Sequence, residues 1–180
     1  QKAQEEWLEY EEATIKTSRM STEEIGNQTR SPQQQEEIEG IMRIRFTAEK
    51  SKDNCQIGIG VTVSMDNQYL VRGWALQERS TGHKLIDDLA VIKLLMSKAA
   101  VQNWDKIEVQ IHNKQTLNLI RLRKSQDMSL ATLLEDIHSL KSLFSMCSLC
   151  LVNKDLNYIS NRINAYALDI IQNEELWIPQ

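Results

Sequence analysis

The stretch IGIGVTVSMDNQYLVRGWAL, Ile57 to Leu76, consists of two apolar-alternating runs joined by a polar turn. Ile57, Ile59, Val61 and Val63 recur at a period of two, which is the signature of a strand with one face turned to a core. Gly58 and Gly60 sit between them; glycine weakens a strand but lets another backbone come close. MDNQ supplies turn residues and YLVRGWAL returns, so a hairpin is predicted. Just upstream, IMRIRFT sets Met42, Ile44 and Phe46 against Arg43, Arg45 and Thr47 in the same alternation. Three consecutive strands read as an antiparallel meander.

Downstream the period changes. In HKLIDDLAVIKLLMSKAAVQNW, Leu85, Leu89, Ile92 and Met96 fall at helical intervals, and Lys84 and Asp88 stand one turn apart. KIEVQI is then a short strand. LATLLEDIHSLKSLF brings Leu130, Leu133, Leu134, Ile137, Leu140 and either Leu143 or Phe144 to one helical side, SLCLV reads as a last strand, and NYISNRINAYALDIIQ as a closing helix. Strands separated by helices after an opening meander imply an α/β fold: a five-stranded mixed sheet with helices packed on it.

The first forty residues differ in composition, with ten acidic and four basic side chains, against fifteen and seventeen in residues 41–180. EEWLEYEEATIKTSRM carries a thin apolar stripe compatible with one weak helix, and the Gln-rich segment broken by Gly26 and Pro32 reads as a linker. The organisation predicted is an acidic helix and polar linker over 1–40, a domain over 41–172 and a tail over 173–180. The body is close to neutral, which disfavours strong sequence-independent nucleic-acid binding. The opening QKAQEEWLEYEE is neither a membrane span nor a secretory signal by its pattern. Three cysteines, Cys55, Cys147 and Cys150, are too few for a disulfide framework and point to the nucleus or cytoplasm.

Other local patterns read as structure. Cys147 and Cys150 are three apart on a predicted strand and so face opposite sides. The glycines of IGIG alternate within a strand and no GK[ST] follows, so this is not a phosphate loop. His83 precedes a helix and His138 lies on one. Trp74 and Trp104 read as packing residues.

The order of elements and the local wording resemble the ribonuclease H fold, and in particular the version found in plant retroelements. GIGVTVSMDNQYLVRGWAL is similar to the family's Gly-rich second strand, turn and third strand. IDDLAVIKLLMSKAAVQNWDKIEVQIHNKQTL resembles its Ala-Glu helix and the strand ending in Asp-Ser-Lys, and LLEDIHSLKSLFSMCSLCLVNKDLNYISNRINAYAL resembles its Asp-x-Leu-Ala close. The likeness runs from about residue 38 to 172, and Glu6-Trp7 ahead of a Pro-containing link is similar to what precedes this domain in plant sequences.

The chemistry this resemblance implies is cleavage of the RNA strand of an RNA/DNA hybrid by two divalent metal ions, held by clustered carboxylates. Matched motif by motif, the four acids correspond to Thr47 at the end of the first strand, Asp87 on the first helix, His112 after Ile111, and Asn161 in the closing helix. One carboxylate, Asp87, remains as the sole residual metal candidate. The expectation is therefore a catalytically inactive ribonuclease H-like module, serving as a protein-interaction scaffold within a larger plant protein and needing no cofactor. One alternative keeps nucleic-acid binding without cleavage, through Arg43, Arg45, Lys114, Arg121, Arg123 and Lys124. Another is an active magnesium-dependent ribonuclease H using Asp87 with unusual helpers.

Overall fold

The chain divides into two compact units, Gln1–Glu37 and Ile38–Gln180. A computed structural model describes residues 40–66, 69–153, 158–170 and 172–176, so the acidic helix and linker expected at the front lie outside the described residues. The second unit runs β1 (Met42–Lys50), β2 (Gln56–Met65), β3 (Tyr69–Arg79), α1 (Lys84–Val101), β4 (Lys106–Ile111), α2 (Lys114–Leu122), α3 (Met128–Lys141), β5 (Met146–Leu151), α4 (Tyr158–Ala167) and β6 (Glu174–Leu176).

These strands form one mixed sheet in the order β5-β4-β1-β2-β3-β6. The meander is antiparallel, whereas β4 lies parallel to β1 and β5 parallel to β4. Five strands match the expected sheet. A three-residue sixth strand comes from the segment expected to be a tail, and pairs with Gly73 to Ala75 of β3.

Alternation sorts the side chains between two faces. Ile44, Phe46, Ile57, Ile59, Val61, Val63, Trp74, Leu76, Ile107, Val109 and Ile111 join Leu89, Ile92, Leu95 and Met96 of α1 and Leu130, Leu134 and Ile137 of α3 in the main core. Phe144, not the exposed Leu143, continues the α3 stripe into that core. Trp74 stacks on Trp104 with ring centroids 5.6 Å apart, and Lys98 lies 5.1 Å over the Trp74 ring.

On the other face α4 crosses β2, and here the two glycines matter. A Cβ on Gly60 would run into the backbone of Ser160, Ile163 and Asn164, and one on Gly58 would come within 2.6 Å of the Asn164 carbonyl oxygen. Ala75, Ile163, Ala167 and Ile170 make a second, smaller core there. The glycine pattern therefore permits the close seating of α4 that carries Ser160 and Asn164 onto β1 and β2.

Candidate functional site

The carboxyl ends of β1 and β4, adjacent parallel strands, meet the first turn of α1. Ends of this kind are where open α/β sheets hold ligands. A cavity of about 430 Å³ lies here, with Thr47, Lys84, Asp88, His112, Lys114 and Thr116 among its lining residues. A second, of about 270 Å³, lies beside it and includes Glu49, Lys50, Asp87 and Asp88.

Each of the four positions singled out from the sequence has a defined place. Thr47 is buried beneath α4, where its Oγ1 accepts a hydrogen bond from Asn164 Nδ2 at 2.9 Å. Near it, the hydroxyls of Thr62 and Ser160 stand 3.3 Å apart. His112 lies between two backbone carbonyls: Nε2 is 2.9 Å from Phe46 O and Nδ1 is 3.2 Å from Val152 O. Carbonyl oxygens only accept, so a neutral ring donates to one of them at a time and a protonated ring to both. Asn161, in the first turn of α4, is exposed. Thr47 and His112 share the larger cavity, while Asp87 borders the smaller one.

Asp87 is bound locally. Its carboxylate accepts from the Thr81 amide at 2.8 Å, the Thr81 hydroxyl at 2.7 Å and the Ser80 hydroxyl at 2.7 Å, with Lys50 Nζ at 3.7 Å. Burial acts to raise this carboxyl, but the Thr81 and Ser80 bonds and the Lys50 charge outweigh it and hold the group below the ordinary range. The carboxylate that shares the larger cavity with His112 is its neighbour Asp88. It accepts from Thr116 Oγ1 at 3.1 Å and Asn113 Nδ2 at 3.2 Å. Burial pushes the Asp88 carboxyl up; Thr116, Lys84 and Asn113 offset this only in part, and the Asp87 charge adds to it.

These opposite shifts give opposite pH signatures. The stability Asp87 contributes is present above its unfolded pKa and is lost as pH falls through its depressed folded pKa. Asp88 works the other way: its cost is full above its raised folded pKa and vanishes below the unfolded value. At neutral pH, Asp87→Asn should lower stability by about 1–2 kcal/mol through weakened charge-assisted bonds, whereas Asp88→Asn should leave the Tm unchanged or raise it. Thermal melts of both variants from pH 3 to 7 check this, and an equal loss in the two at neutral pH would contradict the assignment.

A two-metal centre needs several oxygen anions converging on one space. Here the first position is a neutral hydroxyl already bonded to an amide, the third is an imidazole facing carbonyls, and the fourth is an exposed amide. Among the described residues no group of three or more His, Cys, Asp or Glu side chains is disposed to hold a metal ion. These residues do not fit a pair of divalent cations.

The proposed phosphate-contacting cations are spread over several elements. Arg43 Nε pairs with Glu108 at 3.1 Å and Arg45 Nε with Gln110 Oε1 at 2.8 Å. Lys114 begins α2, and Arg121, Arg123 and Lys124 stand at its far end, with Arg123 in a left-handed cap at φ 58°. A helix of this length separates its ends by about 13 Å.

Among the described residues, the sheet order with α1, α2 and α3 on one face and α4 crossing the other defines a ribonuclease H-like fold. No family model matches the sequence, and no curated protein matches it. Solved structures do. Ribonuclease H1 from the halophilic archaeon Halobacterium salinarum aligns with a TM-score of 0.62 at 17% identity, over 72% of this chain and 98% of the archaeal one. The N-terminal ribonuclease H domain of a Mycobacterium tuberculosis protein gives 0.59 at 17%, over 72% and 94%. The prototype foamy virus ribonuclease H domain gives 0.51 at 10%, over 72% and 93%. At such identities the likeness is one of fold.

Among the described residues no helix is long and apolar enough to cross a membrane.

Proposed function

We propose that this chain is a ribonuclease H-like domain, of plant retroelement ancestry, that has lost hybrid cleavage and serves as a protein-interaction scaffold within a larger protein of the nucleus or cytoplasm. The observation that carries this reading is His112. Where the resemblance expects a metal-binding carboxylate, a ring sits between Phe46 O of β1 and Val152 O after β5 and donates to a backbone carbonyl. An internal bond has taken the place of a ligand. Asn164 on Thr47 and Asn113 on Asp88 extend the same substitution around the cavity. Three free cysteines agree with a reducing compartment.

The test is incubation of the purified chain with an end-labelled RNA/DNA hybrid in magnesium or manganese. The hybrid should stay intact, and millimolar magnesium should leave the Tm unmoved, because a ligand bound only by the folded state would raise it. Metal-dependent scission would refute the proposal. Binding of the uncut hybrid with a steep salt dependence would instead favour a nucleic-acid-binding module, whereas a shallow dependence fits a surface whose cations are partly engaged by Glu108 and Gln110.

A further inference from the structure

The two edges of the sheet are built differently. β6 is three residues long and carries Glu174 and Glu175, which bond Tyr166 and Arg72. A short, charged strand of this kind is how proteins normally prevent an edge from pairing with another chain. β5 ends the opposite side with β4 as its only strand partner among the described residues. From Ser145 to Asn153, spanning β5 and its flanks, the chain reads SMCSLCLVN, nine residues without a charge, proline or glycine. Burial raises the thiols of Cys147 and Cys150, the latter to about 11, so both stay neutral at physiological pH.

The backbone direction and the side-chain pattern agree on a register. The amides of Met146 and Val152 point to the β4 side, reaching Asp105 O at 3.4 Å and Ile111 O at 2.9 Å. Because direction alternates along a strand, Cys147, Leu149 and Leu151 turn their N–H and C=O outward. The same three side chains pack partly against the main core, while Ser148 and Cys150 stand beside Glu108 and Gln110 on the other face.

We propose that β5 pairs antiparallel with β5 of a second copy of this chain, about a two-fold axis at Leu149. Leu149 then meets its own copy, Cys147 meets Leu151, and Ser148 meets Cys150. Apolar residues fall on the core side and small uncharged ones on the other, no like charges oppose, and the outward residues exchange both backbone hydrogen bonds. The strand is its own complement. The proposal rests on this edge and is independent of the state of the cavity.

Sedimentation of the full chain in reductant, which excludes Cys55 disulfides, should show a monomer–dimer equilibrium. Hydrogen exchange at the Cys147, Leu149 and Leu151 amides should slow as concentration rises. Leu149→Pro removes a donor that faces outward and so spares the ladder to β4; it should raise the dimer dissociation constant about tenfold or more. The wild-type exchange series needs no variant, so it decides the matter even if the proline variant fails to fold. A monomer at all concentrations, a dimer protected elsewhere, or edge amides protected equally at every concentration, which would mean another segment covers them, each overturns the proposal.

Discussion

Gly60→Ala should destabilise the domain by about 3 kcal/mol or more. The added Cβ would lie inside the van der Waals shells of the Ser160 carbonyl oxygen and the Asn164 amide nitrogen, and 2.9 Å from the Ile163 carbonyl carbon. These are backbone atoms of a helix, and no rotamer change relieves the overlap. Helix α4 must lift from β2, which would pull Asn164 from Thr47 and Ser160 from Thr62. Gly82→Ala is the control: nothing lies within 4 Å of its Cβ, and its φ of +80° alone costs a side chain something, about 1 kcal/mol. Chemical denaturation of the two variants separates steric from conformational cost. A Gly60→Ala protein within about 0.5 kcal/mol of wild type would mean that α4 does not sit on β2 as described.

Placing a carboxylate where the resemblance to ribonuclease H expects one, His112→Asp should cost about 2–3 kcal/mol and bring no activity. The ring lies within reach of Phe46 O and Val152 O, carbonyls far apart in sequence, and donates to one of them when neutral. A carboxylate offers these carbonyls no donor and places negative charge beside their oxygens. If the cavity were an intact metal site short of one ligand, the same substitution would make stability depend on magnesium and bring some hybrid cleavage. A melt with and without magnesium, run beside a cleavage assay, distinguishes the two. Stabilisation by the metal would show that the site was merely depleted and not rebuilt.

Much of this was legible in the chain itself. The alternation of β1 and β2, the helical stripes of α1 and α3, and the strand–helix order gave the mixed sheet, because one buried face imposes its period on the sequence. β6 was not legible, since three residues show no period. Phe144 could not be separated from Leu143 because both fall near the edge of the same helical stripe.

Within the site, the face of Thr47 followed from its alternation with Ile44 and Phe46, and the chemistry of His112 followed from its residue type. Which of two adjacent aspartates enters the larger cavity did not. That choice depends on Ser80 and Thr81, whose hydroxyls bind Asp87, and on Thr116 and Asn113, whose donors hold Asp88. Those contacts join residues up to 28 positions apart, beyond the reach of local pattern. Asn164 was missed although a signal existed: with Ser160, Ile163 and Ala167 it lies on the buried stripe of α4, where an amide must find a partner.

The most direct test is anomalous diffraction from a crystal of this protein soaked in manganese. The expected map has no paired peaks in the space bounded by Thr47, Asp88 and His112. Two peaks about 4 Å apart, bridged by Asp87 or Asp88, would contradict the proposal that the metal centre is lost and with it the reading of the domain as a non-cleaving one.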